Sequence, residues 1–125
     1  GNREGSFFQP TVLADVSDEC LIAKEEVFGP VTILYPFDDT DSAISMANDV
    51  DYGLQAGIFT QNLDQAFSIA DALECGGVMI NDSSDYRIDA MPFGGIKGSG
   101  LGREGVLNAI HEMSEAKTYC FNLRR

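Results

Sequence analysis

The fold of this chain is decided by residues 53–80, which read GLQAGIFTQNLDQAFSIADALECGGVMI. The apolar runs at residues 53–60 and 78–80 each predict a strand. Between them, Asn62 and Gln65 resemble a capping box, which predicts a helix that ends at the glycine pair before the second strand. We expect this helix to bury a stripe made of Leu63, Ala66, Phe67, Ala70 and Leu73. Strand, helix and strand in this order predict a crossover unit with parallel strands.

The same alternation continues on both sides of this unit. Residues 8–16 and 31–37 are rich in Val, Thr, Ile and Tyr and predict strands. Residues 40–50 predict an amphipathic helix with Thr40 or Asp41 as its N-cap. A last helix is predicted after the glycine-rich segment, with one face formed by Val106, Ala109, Ile110 and Met113. We therefore predict an α/β fold, a layered and largely parallel sheet with flanking helices.

The charge balance limits the partners that we expect. The 125 residues include 8 Lys+Arg against 20 Asp+Glu, a formal net charge of −12. Such a surface repels phosphate backbones and anionic lipids, which argues against nucleic-acid and membrane partners. The first residues carry no apolar signal-peptide core, and the three cysteines lie far apart, so we expect a cytoplasmic, reducing setting.

The cysteines and the single histidine give no sign of a reactive or metal site. Cys20, Cys75 and Cys120 have no visible feature that would stabilise a thiolate, and we interpret them as small buried side chains. His111 has no second ligand near it in the sequence, so no metal site is predicted.

One glycine motif resembles a nucleotide-binding fingerprint. Residues 100–105, Gly-Leu-Gly-Arg-Glu-Gly, fit the pattern G-x-G-x-x-G. No predicted strand leads directly into the motif, and no acidic residue lies about 20 positions further on to bind a ribose. We interpret the segment as a structural glycine loop.

Three segments carry a resemblance to a known family. They are residues 8–13 (FQPTVL), 25–31 (EEVFGPV) and 92–104 (PFGGIKGSGLGRE). Their order and spacing resemble the C-terminal part of the aldehyde dehydrogenase superfamily. Residues 86–95 look like the branch that acts on small polar aldehydes such as lactaldehyde or glyceraldehyde phosphate. The resemblance implies oxidation of an aldehyde to its acid with NAD or NADP, through a cysteine thiohemiacetal.

The same resemblance places the Rossmann domain, the nucleophilic cysteine and the general base upstream of this chain. The isolated chain is therefore expected to be inactive. The alternative hypothesis is a non-catalytic binding or assembly module that retains the fold.

The resemblance also assigns cofactor and substrate residues. Glu26 is expected to bind the nicotinamide ribose hydroxyls, and Phe28 to lie beside the nicotinamide. A solvated charge and ordinary core packing are the alternatives for these two residues. Asn81 and Phe93 are expected to line the substrate tunnel, and Arg87 belongs to the loop of residues 82–91 that is expected to set substrate preference.

Arg87 is the most suggestive of the substrate residues. Its guanidinium could hold a carboxylate or phosphate with two hydrogen bonds. An ion pair with the neighbouring Asp85 or Asp89 is the alternative. Glu104 matches a glutamate that assists proton movement, although a carboxylate at the start of a helix is a simpler account.

The last assignments concern assembly. Residues 1–116 are expected to belong to the catalytic domain, and residues 117–125 to form an oligomerisation strand. Within residues 118–123, Tyr119, Phe121 and Leu123 share one face in the strand pattern. The resemblance places four residues at a homo-oligomer interface, namely Arg103, Glu115, Tyr119 and Phe121.

Overall fold

The computed structural model describes residues 1–123. The chain divides into two compact units, with the boundary in the sequence between Asp51 and Tyr52. The first unit contains two strand pairs and two helices. Its elements are β1 (Arg3–Glu4), β2 (Phe7–Phe8), β3 (Thr11–Ala14), α1 (Leu21–Lys24), β4 (Val31–Leu34) and α2 (Thr40–Asn48). Strands β1 and β2 pair antiparallel, whereas β3 and β4 pair in parallel from Thr11↔Val31 to Ala14↔Leu34.

The second unit has the same number of strands and helices. Its elements are β5 (Tyr52–Gly53), β6 (Gln55–Ile58), α3 (Leu63–Ala72), β7 (Gly77–Ile80), β8 (Ile96–Lys97) and α4 (Val106–Glu112). Strands β6 and β7 pair in parallel from Gln55↔Gly77 to Ile58↔Ile80, and β5 pairs antiparallel with β8.

The predicted α/β fold and its central crossover unit are confirmed. Strand β6, helix α3 and strand β7 follow in the predicted order, and the Asn62 side chain caps α3 by accepting the Gln65 backbone N–H at 3.1 Å. Within residues 1–123, however, the strands form four two-stranded pairs instead of one continuous sheet.

Three predicted boundaries in the first unit are wrong. Strand β3 ends at Ala14 because Asp15 takes a left-handed backbone with φ 53°. Strand β4 ends at Leu34, two residues before Pro36, which has no N–H for a strand ladder. The N-cap of α2 is Asp39, whose Oδ1 accepts the Ser42 N–H at 2.8 Å. Three adjacent residues could all cap a helix, and the sequence alone did not select among them.

The predicted buried stripe of α3 is largely wrong. Only Ala66, 3% exposed, is buried, whereas Leu63 and Phe67 are 69% and 64% exposed. Helix α3 packs against β6, and the apolar core of the unit consists of Ala66 together with Ile58 and Met79. Two short strands offer one helix too little apolar surface to cover its whole stripe.

The predicted C-terminal strand has no pairing partner within the described residues, and its role in oligomerisation stays a prediction. Residues 118–123 pair with no other segment there, and residues 124 and 125 of the proposed oligomerisation strand lie outside the described part. The rings of Tyr119 and Phe121 stack with centroids 6.5 Å apart, as expected of side chains on one face. A strand needs a partner with free backbone groups, and residues 1–123 supply none at this position.

No helix within residues 1–123 has the length and apolar character needed to cross a bilayer.

Candidate functional site

Three predicted site residues meet in the second unit. The Arg87 Nη2 atom lies 3.0 Å from the Glu104 Oε2 atom, although 17 positions separate the two residues in the sequence. The Arg87 guanidinium also lies over the Phe93 ring, with its carbon 4.2 Å from the ring centroid. Arg87, Phe93 and Glu104 are called the arginine cluster below.

The backbone holds two members of the arginine cluster side by side. The Phe93 N–H donates to the Glu104 carbonyl oxygen at 3.1 Å, and the Glu104 N–H donates back to the Phe93 carbonyl. This reciprocal pair is an isolated antiparallel bridge. This bridge holds Phe93 and Glu104 next to each other. The loop that precedes Phe93 places Arg87 in contact with the side chains of both.

The contacts of Arg87 are weak enough to exchange. The side chains of Arg87 and Glu104 are 42% and 67% exposed, and such an ion pair contributes about 0–1 kcal/mol. The stacking on Phe93 adds about 0.5–1 kcal/mol at an exposed site. The guanidinium is therefore positioned by the cluster, while its single contact with Glu104 can exchange for another anion.

The alternative accounts of Arg87 and Glu104 are partly corrected. Arg87 does form an ion pair, but the partner is Glu104, not Asp85 or Asp89. Glu104 lies just before α4, whose N-cap is Gly105, and its side chain turns to Arg87. The sequence could not show this pairing because it depends on the bridge between Phe93 and Glu104.

Close backbone approach supports the segment that carries Phe93. The Gly76 N–H donates to the Gly53 carbonyl at 3.0 Å, which places Gly76 at the end of β5. A Cβ added to Gly76 would overlap the carbonyl oxygen of Gly94 and lie 2.7 Å from its carbonyl carbon. Only glycine fits here, so Gly76 fixes the position of the residue that follows Phe93.

Arg103 and the glycines around it form a structural loop. Arg103 Nη1 donates to the Gly95 carbonyl at 3.1 Å and to the Gly102 carbonyl at 2.7 Å. Gly100, Gly102 and Gly105 all have positive φ, at 124°, 73° and 119°. This backbone supports the interpretation of the G-x-G-x-x-G segment as a loop that requires glycine. The interface role of Arg103 stays a prediction.

Asn81 is held at the carboxyl end of the parallel pair β6–β7. Its backbone is left-handed, with φ 58°, and its Oδ1 atom accepts the Thr60 N–H at 2.9 Å. The Thr60 hydroxyl in turn donates to Gln65 Oε1 at 2.7 Å. Within residues 1–123 the amide nitrogen of Asn81 makes no hydrogen bond and can donate to a ligand. Thr60 was not predicted from the sequence, although the cap motif beside it was a usable signal.

The two predicted cofactor residues lie in the first unit, between α1 and β4. Glu26 is exposed, and the Phe28 ring is 94% exposed. Core packing as an account of Phe28 is therefore wrong for this chain. An exposed carboxylate can accept two hydrogen bonds from a ribose diol, and an exposed ring can face a nicotinamide, so both residues fit the cofactor.

The three cysteines differ in their surroundings. Cys75 is half-buried, and its thiol donates to the Gly77 carbonyl at 3.2 Å. Burial raises the pKa of the Cys75 thiol, against a smaller lowering by backbone hydrogen bonds. Cys20 and Cys120 are exposed, so their interpretation as buried residues is wrong. Cys20 is the N-cap of α1, a position that the sequence analysis missed, but α1 has only 4 residues.

The first unit also contains a cleft that the sequence did not predict. Its volume is about 380 Å³, and it lies where β3 and β4 end. Asp18, Lys24, Tyr35, Met46 and Asp49 are among its lining residues. Its lining mixes both charges with apolar groups. Within residues 1–123, no three His, Cys, Asp or Glu side chains are grouped as metal ligands would be.

Comparison with known proteins identifies the family. Residues 1–119, nearly the whole chain, match the aldehyde dehydrogenase family. The chain belongs to the aldehyde dehydrogenase family. This membership confirms the resemblance carried by the three sequence segments and accounts for the α/β fold.

Aldehyde dehydrogenases of several organisms are similar to the chain. The 3-sulfolactaldehyde dehydrogenase of Priestia aryabhattai is 47% identical over 98% of the chain and 26% of its own length. The lactaldehyde dehydrogenase of Methanococcus maripaludis is 49% identical over 94% of the chain and 25% of its own length. Among solved structures, the glyceraldehyde-3-phosphate dehydrogenase of Methanocaldococcus jannaschii, complexed with NADP, is 45% identical over 91% of the chain and 25% of that chain, with a TM-score of 0.84.

The chain spans about a quarter of the length of the aldehyde dehydrogenases that it matches. Aldehyde oxidation is the activity of the family.

Proposed function

We propose that the chain is the C-terminal part of an aldehyde dehydrogenase that oxidises a small polar aldehyde to its carboxylic acid with NAD or NADP. The observation that carries this proposal is the arginine cluster, because it joins three predicted site residues in a chain of this family. The nucleophilic cysteine, the general base and the Rossmann domain belong to the remainder of the enzyme. Homo-oligomer formation and a cytoplasmic location complete the proposal.

In the proposed reaction, a thiolate attacks the aldehyde carbon and forms a thiohemiacetal. A hydride then leaves that carbon, and hydrolysis of the resulting thioester releases the acid and the thiol. The nicotinamide cofactor, when bound, accepts the hydride. Glu26 accepts hydrogen bonds from the ribose, and Phe28 orients the nicotinamide ring. Asn81 donates its amide N–H to the substrate.

The surroundings of the cysteines support a nucleophile outside this chain. A catalytic cysteine is a thiolate at neutral pH, whereas burial raises the pKa of the Cys75 thiol and keeps it protonated. Cys20 and Cys120 are exposed, and for these two the proposal rests on the family resemblance, which places the nucleophile upstream of this chain. The isolated chain is therefore proposed to be inactive.

Arg87 is the proposed determinant of substrate class. Phe93 positions the guanidinium, and the exposed contact with Glu104 can exchange, so a carboxylate, sulfonate or phosphate on the aldehyde can bind to Arg87. Two of the similar proteins are named for anionic aldehydes, 3-sulfolactaldehyde and glyceraldehyde 3-phosphate. Another is named for lactaldehyde, which has no charge. A small polar aldehyde is the substrate class that all three share.

The test compares an anionic with a neutral aldehyde in the complete enzyme. Arg87→Ala is expected to lower kcat/KM for glyceraldehyde 3-phosphate by about ten-fold or more, since a charge-assisted contact of roughly 1.5–3 kcal/mol is lost. The value for propanal should change little. Arg3→Ala, which removes the same charge from the first unit, is the control.

Equal losses with both aldehydes would contradict the role of Arg87 in substrate choice. If the complete wild-type protein reduced neither NAD nor NADP with any small aldehyde, the non-catalytic module would be the correct account.

A further inference from the structure

We infer that Glu104 is an internal counter-ion of Arg87, which the anionic group of a substrate must displace. Glu104 thereby sets how strongly the site prefers anionic over neutral aldehydes. This inference rests on the proposed function, and it assigns Glu104 a specificity role that is separate from proton transfer.

The geometry leaves room for such an exchange. Glu104 contacts Arg87 through one oxygen and one Nη2 nitrogen, at 3.0 Å. A guanidinium has five N–H donors in one plane, and the Arg87 side chain is 42% exposed although its guanidinium carbon lies 4.2 Å from the Phe93 ring centroid. An incoming anion can therefore approach the same edge that Glu104 occupies and can bind with two hydrogen bonds where Glu104 makes one.

The backbone keeps Glu104 in competition for the guanidinium. The bridge between Phe93 and Glu104 fixes the Glu104 main chain beside the ring on which Arg87 lies. The Glu104 side chain is 67% exposed, so it can turn into water when a substrate anion arrives. Because both states are accessible, the carboxylate weakens anion binding without blocking it.

The charge of the neighbouring loop makes this competition important. Residues 82–91 contain three aspartates, Asp82, Asp85 and Asp89, and Arg87 is their only basic neighbour in that stretch. A substrate anion thus meets one positive charge among several negative ones. Neutralising the carboxylate that contacts Arg87 should have the largest effect on anion affinity. A neutral aldehyde leaves the pair intact and is unaffected.

The experiment uses the complete enzyme and propane-1-sulfonate, an unreactive anionic probe. Glu104→Gln is expected to lower the probe's Kd, measured by calorimetry, by up to about five-fold, the strength of an exposed ion pair. It should raise the ratio of kcat/KM for glyceraldehyde 3-phosphate to that for propanal by a similar factor. Glu112→Gln, which removes an equal charge from α4, should change neither value.

A double variant separates the ion pair from other effects of the substitution. In an Arg87→Ala background, Glu104→Gln should no longer change the Kd of the probe, because the competed guanidinium is gone. If Glu104→Gln is poorly folded, Glu104→Asp takes its place: it keeps the charge but shortens its reach, so the Kd of the probe should fall below the wild-type value.

The outcomes distinguish the two proposals. Loss of proton transfer would lower kcat for both aldehydes alike and leave their ratio unchanged. An unchanged ratio together with an unchanged Kd in Glu104→Gln would overturn the counter-ion role. Absence of turnover in the wild type would instead refute the proposed function, and the calorimetric Kd would still decide the role of Glu104.

Discussion

Gly76→Ala should damage both the stability of the second unit and its site. The added Cβ would lie 2.7 Å from the Gly94 carbonyl carbon, whereas ordinary contact begins at 3.4 Å. Because the Cβ would overlap the Gly94 carbonyl oxygen more deeply still, the carbonyl group must move by more than the 0.7 Å that separates 2.7 from 3.4 Å. Overpacking of this kind costs about 1–3 kcal/mol, occasionally more. The loss of backbone freedom in the unfolded chain offsets about 0.4–1 kcal/mol of that cost.

The adjacent glycine provides a matched control. A Cβ on Gly77 would lie 3.4 Å from Gln55 Cγ and 3.5 Å from Met79 Cε, both of which belong to flexible side chains. We expect Gly77→Ala to change the free energy of unfolding by less than about 0.5 kcal/mol, and Gly76→Ala to lower it by about 1–2 kcal/mol.

Urea unfolding of the chain, followed by circular dichroism, gives both values. In the complete enzyme, displacement of the segment after Phe93 should also lower kcat/KM, since a 1 Å misplacement of site residues can cost roughly 10²-fold. If Gly76→Ala and Gly77→Ala unfold at the same urea concentration, the close approach of Gly76 to Gly94 is not a constraint on this fold.

Two further predictions concern the cofactor and the thiols. In the complete enzyme, Glu26→Gln should weaken cofactor binding by roughly 1–2 kcal/mol, because an amide lacks the charge that strengthens hydrogen bonds to the ribose; an unchanged Kd for NAD and NADP would refute this role. In the isolated chain, iodoacetamide should alkylate Cys75 more slowly than the exposed Cys20 and Cys120, because burial limits access and its raised pKa lowers the thiolate fraction. Mass spectrometry of the labelled peptides measures the three rates, which should converge in urea.

The sequence predicted features whose signals are local. Asn62 caps α3 because its side chain needs only the N–H three positions on, and the apolar runs on either side form the parallel pair β6–β7. The residues of the arginine cluster were selected through family resemblance, and their roles in the site stay predictions. Their mutual contacts were not predicted, since Arg87 reaches Glu104 only through the bridge at Phe93.

Predictions of burial, which depend on contacts with distant parts of the protein, were less accurate. Phe67 repeats at helical spacing and was expected to be buried, yet it is 64% exposed because one helix over two short strands cannot cover it. The pattern of an apolar stripe shows that a surface is suited to burial. It does not show which part of the protein covers that surface.

The C-terminal segment tests this argument. Tyr119, Phe121 and Leu123 are 69%, 81% and 85% exposed, and their segment pairs with no strand in residues 1–123. An extended segment with unpaired backbone groups and exposed apolar side chains tends to add to the edge of another sheet. We therefore predict that the chain self-associates through this segment.

Sedimentation velocity over a range of concentrations measures the association. The intact chain should form dimers or larger species, and deletion of residues 117–125 should shift it towards monomer. Phe121→Asp should do the same while keeping the length of the chain, because a charge on the apolar face must be desolvated in a sheet. Asn122→Asp, which places the same charge on the opposite face of the segment, serves as the control and should associate like the wild type. If all four proteins sediment identically, the segment does not mediate assembly, and the exposed side chains of α4, such as Val106 and Leu107, become the surface to examine.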